Sequence, residues 1–389
     1  MIDFTYYSPT EIIFGKDCHM QAGERLRAMG AQKVLLHYGG TSIKRSGLYD
    51  QITASLRAAG VDFAELGGVQ PNPRLGLVKE GIALCRKEGV DLVLAVGGGS
   101  VIDSAKAIAL GTPFSGDVWD IFLGKAQPTG RLPVVTVLTI PAAGSESSPS
   151  AVITNEEGWL KRGLTHPLNR PVLSFLNPAL CRTLPDAQVR YGASDIMAHL
   201  MERYFTNTTH VDLSDRLLEG ALRTMLIKLP AILKDKEDVD TWAEIMWTGM
   251  VAHNGILGMG REEDWASHGI EHELSALYDI AHGAGLSIVF PAWMKYVYKA
   301  NVGRFVQFAV RVFDVSLPFA DPEAIALEGI ARLEAFYRSV GLPTRLADVG
   351  IDGARIPEMA EKAAFRGGRL GHFVSLTAAD IGEIYRLAL

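Results

Sequence analysis

The chain has 389 residues, of which 48% are hydrophobic, so it is long enough to bury a large core and to divide into two domains. Its formal net charge is -6 and its basic residues form no long run, which argues against nucleic acid or an anionic membrane as a partner. Nothing in it reads as an export signal or a membrane span. The three cysteines are widely spaced, which fits a reducing compartment and argues against thiolate metal ligands. We therefore expect a cytoplasmic protein that acts on small molecules.

Strand-like and helical segments alternate in the first half of the chain. The β-rich runs at 34–37, 92–96, 134–138 and 151–154 read as strands between helical stretches, which predicts a mostly parallel α/β sheet. After Pro185 such runs almost vanish, and long amphipathic patterns at 217–229 and 322–340 predict helices. We therefore predict an α/β domain over residues 1–187 and an all-helical domain over residues 188–389.

A bare turn, Gly97-Gly98-Gly99-Ser100, joins one predicted strand to a helical pattern. Glycines let the backbone N–H groups approach a diphosphate, and the amino end of a helix favours an anion. Ser100 and Asp103 also match a Ser-x-x-Asp capping box, so a capped turn without a ligand is the alternative. The Gly-x-Gly-x-x-Gly pattern is absent, which argues against an ordinary dinucleotide fold.

A second turn of the same type, Gly39-Gly40-Thr41-Ser42, follows the first clear strand and is trailed by two basic residues. Two such turns suit one long ligand. The turn has no acidic side chain for ribose hydroxyls, whereas hydroxyls and cations leave room for a 2′-phosphate, so the residues favour NADP(H). A solvated loop is the alternative. A third loop, residues 139–148, is rich in small polar groups and suits either a crevice lining or a plain turn.

Four potential metal ligands fall in two clusters, Asp195-x-x-x-His199 and His268-x13-His282. At a spacing of four residues, Asp195 and His199 project from one face of a helix. Three imidazoles and one carboxylate suit Zn(II) or Fe(II), so we predict that the four residues converge on one divalent ion. A hydrogen-bonded core role is the alternative for any one histidine. Six others lack comparable partners and are predicted to be structural: His19, His37, His166, His210, His253 and His372.

Four segments together resemble the iron-containing (group III) alcohol dehydrogenase family, especially its NADPH-dependent butanol dehydrogenase and aldehyde reductase branch. The resemblance covers almost the whole chain. The segments that carry it are Tyr38-Gly39-Gly40-Thr41-Ser42-Ile43-Lys44-Arg45, Gly97-Gly98-Gly99-Ser100-Val101-Ile102-Asp103, Pro141-Ala142-Ala143-Gly144-Ser145-Glu146, and His268-Gly269-Ile270-Glu271-His272-Glu273-Leu274 through His282-Gly283.

The resemblance implies a Rossmann-like dinucleotide-binding domain followed by an all-helical metal-binding domain, in a dehydroquinate synthase-like architecture. It implies that Asp195, His199, His268 and His282 hold the metal. It also implies that the turns at Gly39 and Gly97 hold the 2′-phosphate and diphosphate of NADP(H), and that the protein is a homodimer or larger assembly. Further residues implied along the cofactor are Asp103, Thr139, Ser145 and Lys161, with Leu180 near the adenine.

Two residues depart from the family pattern. Thr41 stands where close relatives often carry a third glycine, so its side chain crowds the expected 2′-phosphate pocket. Ala143 replaces a common threonine and removes a hydroxyl from the third loop. Both changes weaken the case for particular cofactor contacts without altering the expected class of protein.

The predicted reaction is hydride transfer between NADP(H) and a short or medium-chain aldehyde or primary alcohol, with the carbonyl oxygen on the metal. His272 lies four residues after His268 and is the predicted proton donor, with water or the cofactor ribose as alternatives. Asp103 is the other catalytic candidate. One alternative function is an NAD-dependent polyol dehydrogenase of glycerol dehydrogenase type. A more distant one is a zinc peptidase, because residues 268–272 also read His-x-x-Glu-His.

Overall fold

The computed structural model describes residues 1–316, 321–364 and 368–389. Their contacts divide the chain into two compact units. The first, which we call the sheet unit, contains Tyr7–Pro185 and Asp235–Met250. The second, the helical unit, contains Met1–Tyr6, Asp186–Lys234 and Val251–Leu389. The division into domains at residues 1–187 and 188–389 stays a prediction, which limited proteolysis would test.

Eight strands lie in the sheet unit. They are β1 (Glu11–Phe14), β2 (Lys33–Tyr38), β3 (Asp62–Leu66), β4 (Leu92–Gly97), β5 (Val134–Leu138), β6 (Ser150–Asn155), β7 (Leu160–Thr165) and β8 (Leu173–Leu176). Six form one parallel sheet in the order β1-β8-β5-β4-β2-β3, whereas β6 and β7 form an antiparallel pair. Three of the predicted strands are therefore β2, β4 and β5 of the parallel sheet. The fourth, at 151–154, is a strand but lies outside that sheet, because local composition identifies a strand and not its partner.

Six helices lie before Pro185 in the same unit: α1 (Ala22–Ala28), α2 (Ser42–Arg45), α3 (Leu48–Ala58), α4 (Leu75–Glu88), α5 (Gly99–Gly111) and α6 (Val118–Phe122). The central strand β4 is buried along its whole length, as expected for a parallel strand covered on both faces. Leu26, Ile52 and Leu56 from α1 and α3 join Val34 and Leu94 of the sheet in one apolar core. This packing fixes the strands whose carboxyl ends carry the glycine turns.

The glycine turn after β4 is not capped in the way the sequence suggested. Gly98 is the residue before the first turn of α5, so Ser100 lies inside the helix. No side chain of the described residues caps that amino end. The Ser100 and Asp103 capping box is therefore absent, because Asp103 is drawn instead to the strand β6 and to Ser145.

From Asp186 onward, the described residues form helices and no strand of either sheet. These helices are α7 (Asp186–Tyr204), α8 (Asp212–Lys234), α9 (Val239–His253), α10 (Ala266–Tyr278), α11 (His282–Val297), α12 (Val302–Phe313), α13 (Pro322–Ser339), α14 (Ile356–Ala363) and α15 (Ala378–Leu387). The predicted helices at 217–229 and 322–340 correspond to α8 and α13. The predicted fold class, an α/β part followed by a helical part, is confirmed. Within the described part of the chain, no helix has the length and apolar character needed to cross a bilayer.

Candidate active site

Helix α7 presents three acidic or imidazole side chains on one buried face. Asp195, His199 and Glu202 follow one another at spacings of four and three residues, so they lie along the same side of the helix. Asp195 and His199 are each 4% exposed and Glu202 is fully buried. Buried ionisable side chains are costly unless they are paired or bind an ion, so this face requires partners.

Two glycines near the start of α11 allow this helix to lie close to both α7 and α10. A Cβ added to Gly283 would lie 1.9 Å from the backbone oxygen of Tyr191 in α7. A Cβ added to Gly285 would lie 2.6 Å from Cγ of Glu271 in α10. Only glycine fits at these positions, and the first turn of α11 therefore lies against both helices. His282, the first residue of α11, is thereby placed beside Asp195.

Three imidazole nitrogens surround a single carboxylate oxygen, Oδ1 of Asp195. The distances are 3.6 Å to Nδ1 of His199, 3.9 Å to Nε2 of His268 and 3.7 Å to Nε2 of His282. Ligand atoms of one tetrahedral zinc site, bound at roughly 2.1 Å, lie about 3.4 Å apart. The potential ligand atoms of Asp195, His268 and His282 all lie within 4.8 Å of one another, and His199 lies outside that tighter set. The structure thus brings the four predicted ligands together.

Several of these potential ligand atoms make no hydrogen bond to the described residues. Oδ1 of Asp195, Nδ1 of His199 and Nε2 of His268 are buried and have no hydrogen-bond partner among the described residues. Native proteins rarely leave such atoms unsatisfied unless an ion or water completes them. One carboxylate and three imidazoles form a donor set for Fe(II) or Zn(II). The residues present therefore fit a divalent metal ion.

Two further buried carboxylates orient the histidine rings. Nδ1 of His268 donates to Glu202 at 2.7 Å, and Nδ1 of His282 donates to Glu271. Because each Nδ1 is committed to a carboxylate, Nε2 is the nitrogen that faces Asp195 and that a metal ion would bind once it is deprotonated. Sequence reasoning missed Glu202 and gave Glu271 only the role of a peptidase base. The helical spacing of Glu202 from Asp195 was a signal that could have identified it.

The histidines form a continuous row of rings. His199 stacks on His268 at a centroid separation of 4.8 Å and on His253 at 4.2 Å. His268 contacts His282 at 5.3 Å, and His282 contacts His272 at 5.6 Å. His253, which was predicted to be structural, therefore lies beside the site. No spacing in the sequence relates it to the other four histidines. His272 is half-buried and belongs with Glu271 and His282 to a second group whose ligand atoms lie within 4.8 Å of one another.

The charges of the site favour a cation. Burial lowers the pKa of His199 well below its ordinary value, and the neighbouring imidazole of His253 lowers it further. Burial also acts to lower the pKa of His268, but the carboxylates of Asp195 and Glu202 outweigh it and raise the pKa to about 9. Binding of a divalent ion would displace that proton, so metal binding is coupled to proton release.

In the sheet unit, the three predicted loops meet at one edge. The register pairs Tyr38 of β2 with Val96 of β4, and Gly97 of β4 with Leu138 of β5. The segments that follow these strands are therefore neighbours at the carboxyl edge, where parallel sheets bind ligands. The backbone N–H of Thr139 donates to the oxygen of Gly97 at 3.1 Å.

Packing requires glycine in the turn after β4, but it does not require glycine at Gly40 in the turn after β2. A Cβ on Gly97 would lie 2.5 Å from Val101 Cγ2, and a Cβ on Gly99 would lie 2.9 Å from Ala143 Cβ, so packing alone explains both. Gly40 is exposed and no atom of the described residues lies within 4 Å of its added Cβ, so packing does not require glycine there. The uncapped amino end of α5 and this open turn fit the phosphates of a dinucleotide.

Asp103 and Ser145, both predicted to line the cofactor, are tied to a buried lysine. Nζ of Lys106 donates to Oγ of Ser145 at 2.8 Å and to the backbone oxygen of Ser150 at 2.7 Å. Ser145 donates to Asp103 at 2.5 Å, and the other carboxylate oxygen of Asp103 accepts from the N–H of Val152 at 2.9 Å. Asp103 and Ser145 therefore hold the 139–148 loop against α5. Sequence reasoning missed Lys106, whose 1% exposure is unusual for a lysine.

The remaining cofactor candidates occupy separate places in the same unit. Thr139 directly follows β5, and its backbone oxygen accepts a weak bond from Sγ of Cys181 at 3.7 Å. Lys161 lies in β7, is 4% exposed, and donates to Oδ1 of Asn72 at 3.0 Å. Leu180 is partly buried against the core of the sheet. Thr41 and Ser42 are exposed at the start of α2.

An acidic side chain lies beside the Gly39 turn after all. Glu65, near the end of β3, accepts hydrogen bonds from the hydroxyls of Tyr38 and Tyr49 and lies 4.0 Å from Nζ of Lys44. The turn itself contributes only hydroxyls and the basic residues that follow it, which is why its residues alone favour NADP(H). Because β3 pairs with β2, its carboxyl end supplies an acid that the turn lacks. The turn itself has no acidic residue, as the sequence shows, and the acid beside it comes from the neighbouring strand.

Two family models match the chain. One, described as iron-containing alcohol dehydrogenase, matches residues 9–178. The other, described as the C-terminal part of the Fe-containing alcohol dehydrogenase family, matches residues 190–389. The chain belongs to the iron-containing alcohol dehydrogenase family, as the sequence resemblance predicted.

Individual relatives agree with that assignment. The chain is 46% identical to a probable NADH-dependent butanol dehydrogenase of Bacillus subtilis over the full length of both proteins. It is 36% identical to the NADPH-dependent aldehyde reductase YqhD of Escherichia coli, again over both full lengths. The crystal structure of NADH-dependent butanol dehydrogenase A from Thermotoga maritima superimposes with a TM-score of 0.97 at 41% identity, covering 100% of this chain and 99% of the other.

Proposed function

We propose that this chain is a metal-dependent aldehyde reductase and alcohol dehydrogenase for short and medium-chain aldehydes and primary alcohols. The observation that carries the proposal is the ring of three imidazole nitrogens around Oδ1 of Asp195 at 3.6 to 3.9 Å. The substrate class is supported by the family and by the names of the butanol dehydrogenases and aldehyde reductase among the relatives.

Asp195, His199, His268 and His282 are the residues that would hold the metal ion. A divalent ion held there supplies a Lewis acid for the carbonyl oxygen of the substrate, and a nicotinamide supplies the hydride. The protein contributes fixed lone pairs: Glu202 and Glu271 hold the rings of His268 and His282 in the tautomer that presents Nε2. Iron and zinc both suit these donors, and the family name favours iron.

For the dinucleotide, we propose that Gly39, Gly40, Thr41 and Ser42 hold the adenosine end and that residues 97–100 hold the diphosphate at the amino end of α5. NADP(H) was the sequence prediction, and we propose the opposite preference, for NADH. Lys44, a cation expected to attract a 2′-phosphate, lies 4.0 Å from the carboxylate of Glu65. The most similar relatives named above are called NADH-dependent, which supports the same order.

His272 stays the predicted proton donor to the developing alkoxide. It is half-buried and its ring lies next to His282. His272→Ala is expected to lower kcat more than it raises KM, because the residue would act on the reacting oxygen and not on ground-state binding. Asp103 is a weaker catalytic candidate, since one of its carboxylate oxygens accepts a bond from Ser145 and the other accepts a bond from the N–H of Val152. We assign it a positioning role.

The peptidase alternative conflicts with the geometry of its own motif. Its general base would be Glu271, which is fully buried and accepts hydrogen bonds from Ser275 and from Nδ1 of His282. Both of its oxygens already orient other side chains, and its complete burial keeps it from a solvent water that a peptidase base would have to activate. The polyol dehydrogenase alternative uses a related site and is separated by substrate profiling alone.

The test is a metal-replete sample assayed with NADH and NADPH against a panel of aldehydes, primary alcohols and polyols. We expect consumption of NADH with butanal-sized aldehydes, and loss of both metal retention and turnover in His268→Ala. His372→Ala, at a histidine whose side chain is 61% exposed, is the matched control and should keep both. Activity only with glycerol-like polyols, or His268→Ala protein with full metal content, would contradict the proposal. The homodimer implied by the family resemblance is a separate proposal, to be tested by sedimentation.

A further inference from the structure

Four side chains beside the Gly39 turn form a compact polar cluster, which we call the Glu65 cluster: Tyr38, Lys44, Tyr49 and Glu65. The hydroxyl of Tyr38 donates to Oε2 of Glu65 at 3.0 Å, and the hydroxyl of Tyr49 donates to Oε1. Nζ of Lys44 lies 4.6 Å from the ring centroid of Tyr49 and 5.3 Å from that of Tyr38. The two aromatic rings and the carboxylate therefore hold the ammonium group in one place.

This cluster adjoins the turn expected to receive the adenosine end of the dinucleotide. Tyr38 is the residue before Gly39, and the backbone N–H of Gly68 donates to the oxygen of Gly39 at 2.8 Å. The segment that follows β3 is thus bonded to the turn itself. Any group that the turn holds lies within a few ångströms of a site where one positive and one negative charge are paired.

The charges decide which cofactor this arrangement suits. A 2′-phosphate carries close to two negative charges at neutral pH and needs unopposed cations, whereas ribose hydroxyls need a hydrogen-bond acceptor. Lys44 is opposed by Glu65 at 4.0 Å, so the cation offers little net attraction. The pair is partly exposed, with 48% and 36% of the two side chains accessible, so its effect is moderated by solvent and by salt.

We propose that Glu65 is a specificity-determining residue that disfavours a 2′-phosphorylated dinucleotide by neutralising Lys44. The proposal rests on the dinucleotide binding proposed above for the Gly39 turn. Tyr38 and Tyr49 act as positioning residues, since each fixes one oxygen of the Glu65 carboxylate. Neither the sequence spacing nor the turn itself indicates this role, because Glu65 comes from a different strand.

The matched control is Glu88, which also pairs with a lysine of the same unit. It accepts a bond from Nζ of Lys33 at 2.7 Å, with both side chains 31% exposed. Lys33 begins β2, so this pair lies at the opposite edge of the sheet from the glycine turns. Glu65→Gln and Glu88→Gln change the net charge equally, and only the first is expected to alter cofactor choice.

The experiment measures NADH and NADPH binding by equilibrium fluorescence titration, together with kcat/KM for each cofactor. Glu65→Gln should raise the NADPH to NADH preference roughly threefold to tenfold, as expected for a partly solvated charge pair. Glu88→Gln should leave the ratio unchanged. Adding Lys44→Met to Glu65→Gln should remove the gain, and high salt should reduce it.

The outcomes separate this inference from the proposed function. Binding that shifts as stated in a protein without aldehyde turnover would support Glu65 and contradict the proposed reaction. Turnover with a cofactor ratio that Glu65→Gln leaves unchanged would overturn the inference and leave the reaction intact. An equal gain in Glu65→Gln with and without Lys44 would also overturn it, because the effect would not pass through the lysine.

Discussion

The fully buried carboxylate of Glu202 accepts a hydrogen bond from Nδ1 of His268 at 2.7 Å. The same side chain accepts bonds from the backbone N–H groups of His268 and Trp265, at 2.9 and 2.8 Å. Glu202 therefore fixes both the start of helix α10 and the ring that α10 presents to Asp195. A mutation there should separate orientation of a metal ligand from its removal.

Glu202→Gln should weaken metal retention without abolishing it. The amide can still accept one bond, but it lacks the charge that makes His268 a better donor of its Nε2 lone pair. We expect a roughly 10-fold to 100-fold loss of metal affinity, measured by competition with a chelator. Glu328→Gln, at a partly exposed glutamate paired with Arg332, is the control and should bind metal normally. Unchanged affinity in Glu202→Gln would remove Glu202 from the support of the site.

Lys106→Met should destabilise the sheet unit. The buried ammonium satisfies Ser145 and the backbone oxygens of Ser148 and Ser150, and a methionine leaves these acceptors and the Asp103 carboxylate uncompensated. We expect the free energy of unfolding to fall by about 3 to 5 kcal/mol, measured by urea denaturation.

The control for Lys106 is Lys79→Met, because Lys79 pairs with Asp117 at 2.7 Å in an exposed position. That change should cost less than about 1 kcal/mol. Equal losses in the two variants would mean that the hydrogen bonds of Lys106 add nothing to an ordinary surface pair.

Acid should destabilise the protein partly through His37. This histidine is fully buried and bonds to Leu66 and Ser104, and burial lowers its pKa to about 4. The unfolded chain, with an ordinary pKa near 6.5, binds more protons between pH 6.5 and 4, so stability falls as the pH falls through that window. A difference of this size is about 3 kcal/mol.

His37→Gln should therefore show a shallower fall in unfolding free energy between pH 6.5 and 4 than the parent protein. His372→Gln, at an exposed histidine, is the control and should retain the parent slope. The measurement is chemical denaturation at a series of pH values. Identical slopes in all three proteins would show that His37 titrates alike in the folded and unfolded states.

The sequence predicted the parts of this molecule that depend on local spacing. Asp195 and His199 share a helix face because the helix repeats every 3.6 residues, and the runs that became β2, β4 and β5 are apolar because both faces of a parallel sheet are covered. Both inferences need only neighbours in the chain. Bringing the four predicted ligands to one ion depends on how α7, α10 and α11 pack together. Local spacing does not indicate that packing, whereas the resemblance to a known family does.

What the sequence did not predict depends on contacts between distant segments. Glu65 reaches the Gly39 turn from a neighbouring strand, and His253 reaches His199 from 54 positions along the chain. In the sequence, Lys106 is one lysine in a helical pattern, and only the packing of Ser145 and Ser148 against it shows that it is buried. Each acquires its role only when tertiary contacts bury a charge or align a ring, which is information that composition and periodicity do not carry.

Gly283→Ala should disrupt the metal site through the backbone alone. The added methyl group would lie 1.9 Å from the backbone oxygen of Tyr191, which has no rotamer to move, so α11 must shift away from α7 and carry His282 from Asp195. We expect unfolding free energy to fall by roughly 1 to 3 kcal/mol and metal retention to fall with it.

Gly220→Ala is the matched control, since Gly220 is an exposed position in α8 with no described atom within 4 Å of the added Cβ. There the same substitution should raise stability by about 1 kcal/mol, because alanine is the better helix former. In calorimetry the two variants should therefore shift stability in opposite directions, and in metal analysis only Gly283→Ala should lose metal. Equal stability of the two variants would show that the close approach of α11 to α7 does not depend on glycine.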